Sequence, residues 1–237
     1  MSLDDQGMTL TDHLRELRYR LIRAAYGIII GMAISLYFSE NLLNVIRKPV
    51  LPYLTSGGLV FTGVLDKFMA FIKVGLLGGV ILSCPYWLYH LWKFISPGLY
   101  EKERKFAIGF IVSGTVLFAI GVSFVYFIVF PAAFQYLFTI GGTVDKPMIT
   151  ITDYLSFFTI TTLMFGAAFE LPLILVMLAL IGIIDAKFLR EKRRYAVLIL
   201  ALIAAIITPP DLISMLLMLI PLMVLYEIAI LVIVFLL

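Results

Sequence analysis

Residues 154 to 184 form an apolar run of 31 whose only charge is Glu170, one position past the midpoint. About 20 apolar residues cross a bilayer core of roughly 30 Å, so this run spans it with length to spare and some tilt. A full charge at a helix centre costs about 2.5 to 3.5 kcal/mol on insertion-based scales. Glu170 is therefore expected to face water, protein or a partner, either as a working polar group or as a hydrogen-bonded holder of the bundle.

The rest of the chain has the same character. Of 237 residues, 62% are hydrophobic and 14% charged, and the mean hydropathy is +1.09. The apolar stretches are continuous rather than alternating, which predicts an all-α integral membrane protein and argues against a barrel. Six segments stand out, near 20–38, 68–90, 106–130, 154–180, 195–208 and 212–230. With no internal repeat and no soluble stretch of domain size, residues 1–237 read as one polytopic membrane domain. Cys84 is the lone cysteine, so no intrachain disulfide forms. The first twenty residues mix acids with arginines and hold no early apolar block, so no removable leader is expected and the first span directs insertion.

Charge sets the orientation. The N-terminal stretch and the second and fourth connections carry thirteen Lys and Arg, against four on the opposite side; Lys73, at the start of span two, can snorkel outward. The positive-inside rule then places both termini in the cytoplasm. The last two spans look short. Tyr195 to Ile207 gives only 13 uninterrupted residues, about 20 Å of helix, and the next run meets Glu227 soon after Leu212 to Tyr226. These two are expected to form a compact hairpin turned by Thr208-Pro209-Pro210-Asp211, where the prolines stop one helix and Asp211 caps the next. Such a hairpin thins the membrane beside it or hides its ends against protein. In the long external connection, Leu42 to Ile46 is expected to form a short interfacial helix.

Two cytoplasmic elements each present a carboxylate at the membrane surface. TLTDHLRELRYRL, residues 9 to 21, places Leu10, Leu14, Leu17 and Leu21 on one face and opens with a Thr9 to Asp12 capping-box pattern. Its other face sets Glu16 among Arg15, Arg18 and Arg20, and a Glu16–Arg20 pair fits the spacing. FISPGLYEKERK, residues 94 to 105, breaks at Ser96-Pro97-Gly98 and offers Glu101 and Glu103. Either stretch alone would read as a solvated face with ordinary surface ion pairs.

HLRELRYRL at 13 to 21, SCPYWLYHLWKFISPGLYEKERK at 83 to 105, YFIVFP at 126 to 131, YLSF at 154 to 157, FGAAFELP at 165 to 172, KRRY at 192 to 195, TPPD at 208 to 211 and YEI at 226 to 228 together resemble the TatC family, core subunits of the twin-arginine protein translocase. The resemblance runs in order along nearly the whole chain. It implies a receptor in the bacterial cytoplasmic membrane that recognises signal peptides with paired arginines and exports folded proteins on the proton-motive force. It implies single-span TatA-like and TatB-like partners in a multimeric complex, with no nucleic acid. It assigns signal binding to Glu16 and Glu103, with Arg18, Phe94, Pro97 and Leu99 as recognition or loop-shaping positions. Glu170 matches the family's intramembrane glutamate, and Thr208, Asp211 and Met215 fall where partner subunits bind. Met215 replaces the glutamine of the family form, so partner contact there is expected to rest on Thr208 and apolar packing. Within the spans, Pro85 is expected to kink span two, and Gly27 with Gly31 to permit close helix contact.

Paired arginines suit two separated acids, because a carboxylate binds a guanidinium through two parallel hydrogen bonds that lysine cannot copy. No cofactor, metal site or catalytic group is expected: HExxH and GxSxG are absent, and His13 and His90 lie far apart in sequence. The alternative is a secondary small-solute transporter with Glu170 in its site, although paired halves are missing.

Overall fold

The computed structural model describes residues 10–54, 58–95, 107–139, 148–208 and 212–236, and it is helical nearly throughout. Helix α1, Leu10–Tyr37, joins the amphipathic N-terminal segment to span one without a break. Its glycines let neighbours approach. A Cβ on Gly31 would lie 2.7 Å from the Gly79 carbonyl oxygen of α3, Asp66–Leu82, and one on Gly27 would strike the Tyr86 ring.

Span two is α3 followed by α4, Cys84–Ile95, bent by 58° at Ser83. Pro85 lacks the N–H that would bond the Ile81 carbonyl, so the helix cannot run straight through. Ser83 Oγ donates to the Gly79 carbonyl at 2.7 Å, and the Trp87 indole N–H donates to the Val80 carbonyl at 3.2 Å, satisfying acceptors at the bend. The kink expected of Pro85 is therefore present, and it turns α4 along α1.

Span three runs further than expected. After α5, Ala107–Phe124, a π-helical turn at Val125–Val129 leads into α6, Phe130–Thr139, so the helix passes position 130. The wide turn falls just before Pro131, where a missing N–H breaks the regular ladder. Span four comprises α7, Ile151–Phe169, and α8, Leu171–Leu180, with Glu170 at the joint.

On the outer side by the charge rule, α2, Ser39–Arg47, extends the short helix expected near 42–46 and buries Leu43 and Ile46. The last carbonyls of a helix lack partners within it. Here Tyr126 donates to the Val45 carbonyl at 2.9 Å and Tyr154 to that of Ile46, so two aromatic residues from distant segments seat α2. Phe130 stacks on Phe158 at 4.4 Å between ring centroids, the centre of an aromatic core with Phe134 and Tyr154. Among the described residues there is no strand, only an isolated bridge between Val60 and Thr150. Lys73 turns inward, donating to Ser156 Oγ at 2.6 Å and to the Thr152 carbonyl at 3.2 Å; the snorkelling expectation thus gives way to a bond that ties α3 to α7.

After α9, Ala186–Glu191, come α10, Arg193–Ile207, and α11, Leu212–Leu236. With 15 residues, α10 rises about 22 Å and is short, as expected. The expectation fails for α11, whose 25 residues rise about 37 Å. Glu227 does not end that helix: Arg193 Nη2 meets its carboxylate at 2.7 Å, and Ile228, Val232 and Leu236 beyond it line one cavity with Val176 and Leu180 of α8. Among the described residues, four helical stretches are long and apolar enough to cross a membrane, and the bent α3–α4 pair makes a fifth.

Candidate functional site

The amphipathic end of α1 and the end of α4 together form a groove of about 300 Å³. Leu17, Arg20, Leu21 and Ala24 line one wall, and Trp87, His90 and Phe94 line the other. Glu16 stands at its edge. Arg20 Nη2 donates to Glu16 Oε1 at 2.8 Å, the four-residue pair that the spacing allowed, and the two side chains are 15% and 18% exposed. That is unusually covered for a helix-surface pair. The cause is α4, whose bend at Ser83 lays its side chains against the stem of Arg20. Arg18 is exposed beside the groove, and Arg23 lies 4.2 Å over the Tyr19 ring.

The structure thus brings Phe94 and the Glu16–Arg20 pair together. Glu103, Pro97 and Leu99 lie outside the described residues, as do Pro209, Pro210 and Asp211 and the Thr9 end of the capping box. Trp87 and His90 were not singled out from the sequence for this groove, yet a signal existed: positions 87, 90, 91 and 94 step by three and four along one helical face. His90 is buried, with its ring edge-on to those of Tyr86 and Tyr89 at 4.6 and 5.3 Å.

Of the settings expected for Glu170, the structure shows protein. The residue is only 6% exposed, at the turn between α7 and α8. Pro172 supplies the turn, since it cannot donate to the Ala168 carbonyl. Gly114 of α5 supplies the room: a Cβ there would sit 3.1 Å from Glu170 Oε2. Neither carboxylate oxygen has a hydrogen-bond partner. Small-solute transport through Glu170 gains no support from this setting, where Leu88 and Leu173 close around Gly114 beside it.

At the α10 end, Thr208 is buried and its hydroxyl donates to the Ala204 carbonyl at 2.8 Å. The group caps its own helix instead of facing outward. Met215 is partly buried against the main core. Among the described residues no cluster of His, Cys, Asp and Glu is arranged to hold a metal ion.

The chain matches a known family along most of its length. The family model described as Sec-independent protein translocase protein (TatC) matches residues 12–221. The chain is 40% identical over 231 residues to a Sec-independent protein translocase protein TatC of Desulforapulum autotrophicum, covering 97% of this chain and 86% of that protein. It is 35% identical to the Escherichia coli (strain K12) protein of that name, covering 97% and 89%. A crystal structure titled as the twin arginine translocase receptor TatC in DDM superposes with a TM-score of 0.81 at 36% identity, covering 93% of this chain and 99% of the other. The chain belongs to the TatC family of Sec-independent protein translocase proteins.

Proposed function

We propose that this protein is the receptor and core subunit of a twin-arginine translocase in the bacterial cytoplasmic membrane. It crosses the membrane six times with both termini inside, counting α10 as a short span. It captures precursors whose signals carry paired arginines and, with TatA-like and TatB-like single-span subunits, exports them folded on the proton-motive force. The observation that carries this reading is Glu16, a carboxylate on α1 bonded at 2.8 Å to Arg20, which lines an apolar groove. Glu103 is the second acid, with Arg18 and Phe94 beside the groove.

Magnitudes explain the division of labour. An ion pair at 4 Å is worth about 1 kcal/mol in water and about 4 at an effective dielectric of 20. Two such pairs select arginine, but they do not hold a precursor by themselves. Leu17, Leu21, Trp87 and Phe94 offer apolar surface within reach of the same signal, and its apolar stretch supplies the remaining affinity.

Site-specific crosslinking of a twin-arginine precursor to the membrane-inserted protein tests the assignment. Glu16→Ala and Glu103→Ala are expected to reduce capture at least tenfold each, with insertion unchanged. Undiminished capture by both variants would remove these acids from the site.

A further inference from the structure

The carboxylate proposed to receive a signal arginine already holds one. Arg20 reaches back one helical turn to Glu16, and its side chain is the more covered of the two. An ordinary surface pair on a helix leaves both head groups in water. Here the arginine stem lines the groove with His90 and Phe94, and its Nε is buried without a partner.

We propose that Arg20 is a resident occupant of Glu16 which a ligand guanidinium must displace, and that it thereby sets the threshold for recognition. This rests on the reading of Glu16 as a signal-binding residue. The geometry favours exchange, because the resident bond is one-point: one Nη2 donor meets one oxygen, Oε1, at 2.8 Å. A guanidinium arriving from solvent can place two parallel N–H donors on both oxygens and so gains a bond that the resident, tethered four residues away, does not make. An ammonium offers one point of contact and does not improve on the resident. Arg20 is thus a positioning residue. It keeps Glu16 neutralised until a ligand with a better grip arrives, and weak cations leave the site occupied by Arg20.

Equilibrium binding to the full chain in lipid nanodiscs tests this, with two synthetic peptides that share an apolar stretch and differ in carrying Arg-Arg or Lys-Lys before it. Arg20→Gln is expected to tighten the arginine peptide about two- to fivefold, the size of a helix-surface ion pair no longer broken. Arg15→Gln, which removes the same charge from an exposed neighbour, is expected to change it less. The lysine peptide gives the sharper readout. Glu16→Gln is expected to leave its affinity unchanged when Arg20 is present and to weaken it when Arg20 is glutamine, because only then does the ammonium reach the acid. If Arg20→Gln fails to insert, Arg20→Met, which keeps an apolar stem and removes the charge, serves, with tightening in the same direction. Equal effects of Arg20→Gln and Arg15→Gln, or weakening by Arg20→Gln, would overturn the displacement while leaving Glu16 as a binding residue. Arginine-peptide binding indifferent to Glu16→Gln in every background would instead remove the underlying reading, and the displacement with it.

Discussion

Glu16 and Glu170 share a side chain and little else. The first is held by a guanidinium nitrogen at 2.8 Å at the mouth of a groove; the second is buried with neither oxygen hydrogen-bonded, facing the bare backbone of Gly114. A polar role at Glu170 predicts that Glu170→Gln, which keeps the shape and a hydrogen-bonding head, retains most export activity, whereas Glu170→Leu loses severalfold more. Equal activity in a transport assay of the two variants would argue against that role. The sequence made the Glu16–Arg20 pair legible because four-residue spacing is local. It could not show how covered the pair is, since that depends on α4 folding back across it. Glu170 was visible as an anomaly in an apolar run, but its burial depends on a glycine 56 positions away in the chain.

Helix contacts in a membrane rest on packing, because lipid is as apolar as leucine and exerts no hydrophobic drive between helices. Gly31 and Gly79 make α1 and α3 touch backbone to backbone. A Cβ at Gly79 would lie 2.7 Å from the Met32 nitrogen and 2.8 Å from the Ile28 carbonyl oxygen, atoms that cannot swing aside. Gly79→Ala is therefore expected to cost about 1 to 3 kcal/mol, read as a lower thermal midpoint in detergent. Gly109→Ala, where nothing lies within 4 Å, is the control and is expected to be near neutral. Similar losses at both positions would contradict the close-approach account. The small residues were legible in α1, but their partner was not, because helix pairing is a long-range property. The last helix shows the opposite failure. Glu227 looked like a terminus until Arg193, 34 residues earlier, supplied its partner. From Glu227 to Leu236 the helix rises about 13 Å further, and Leu236 shares a cavity with Gly109 and Trp92. Arg193, at the start of α10, thus meets α11 about 13 Å short of that helix's end.

The membrane class and the course of the chain followed from composition and from long apolar runs, signals strong enough to survive tertiary context. The kink at Pro85 was legible too, whereas the π turn and the seat of α2 were not, since the latter depends on tyrosines from distant segments acting on a helix end. The orientation is checked by thiol labelling of intact cells. A cysteine placed at Val64, fully exposed in the first connection, is expected to react from outside, and one at exposed Lys187 only after permeabilisation. The native Cys84 is buried and is expected to stay silent. The reverse pattern would invert the protein. The proposed function depends on acids that distinguish a guanidinium from an ammonium, and the decisive measurement is equilibrium binding of a twin-arginine precursor, and of the same precursor with both arginines changed to lysine, to the full chain in nanodiscs. The expected result is at least tenfold weaker binding of the lysine form, the size of one charge-assisted hydrogen bond lost. Equal binding of the two forms would contradict it.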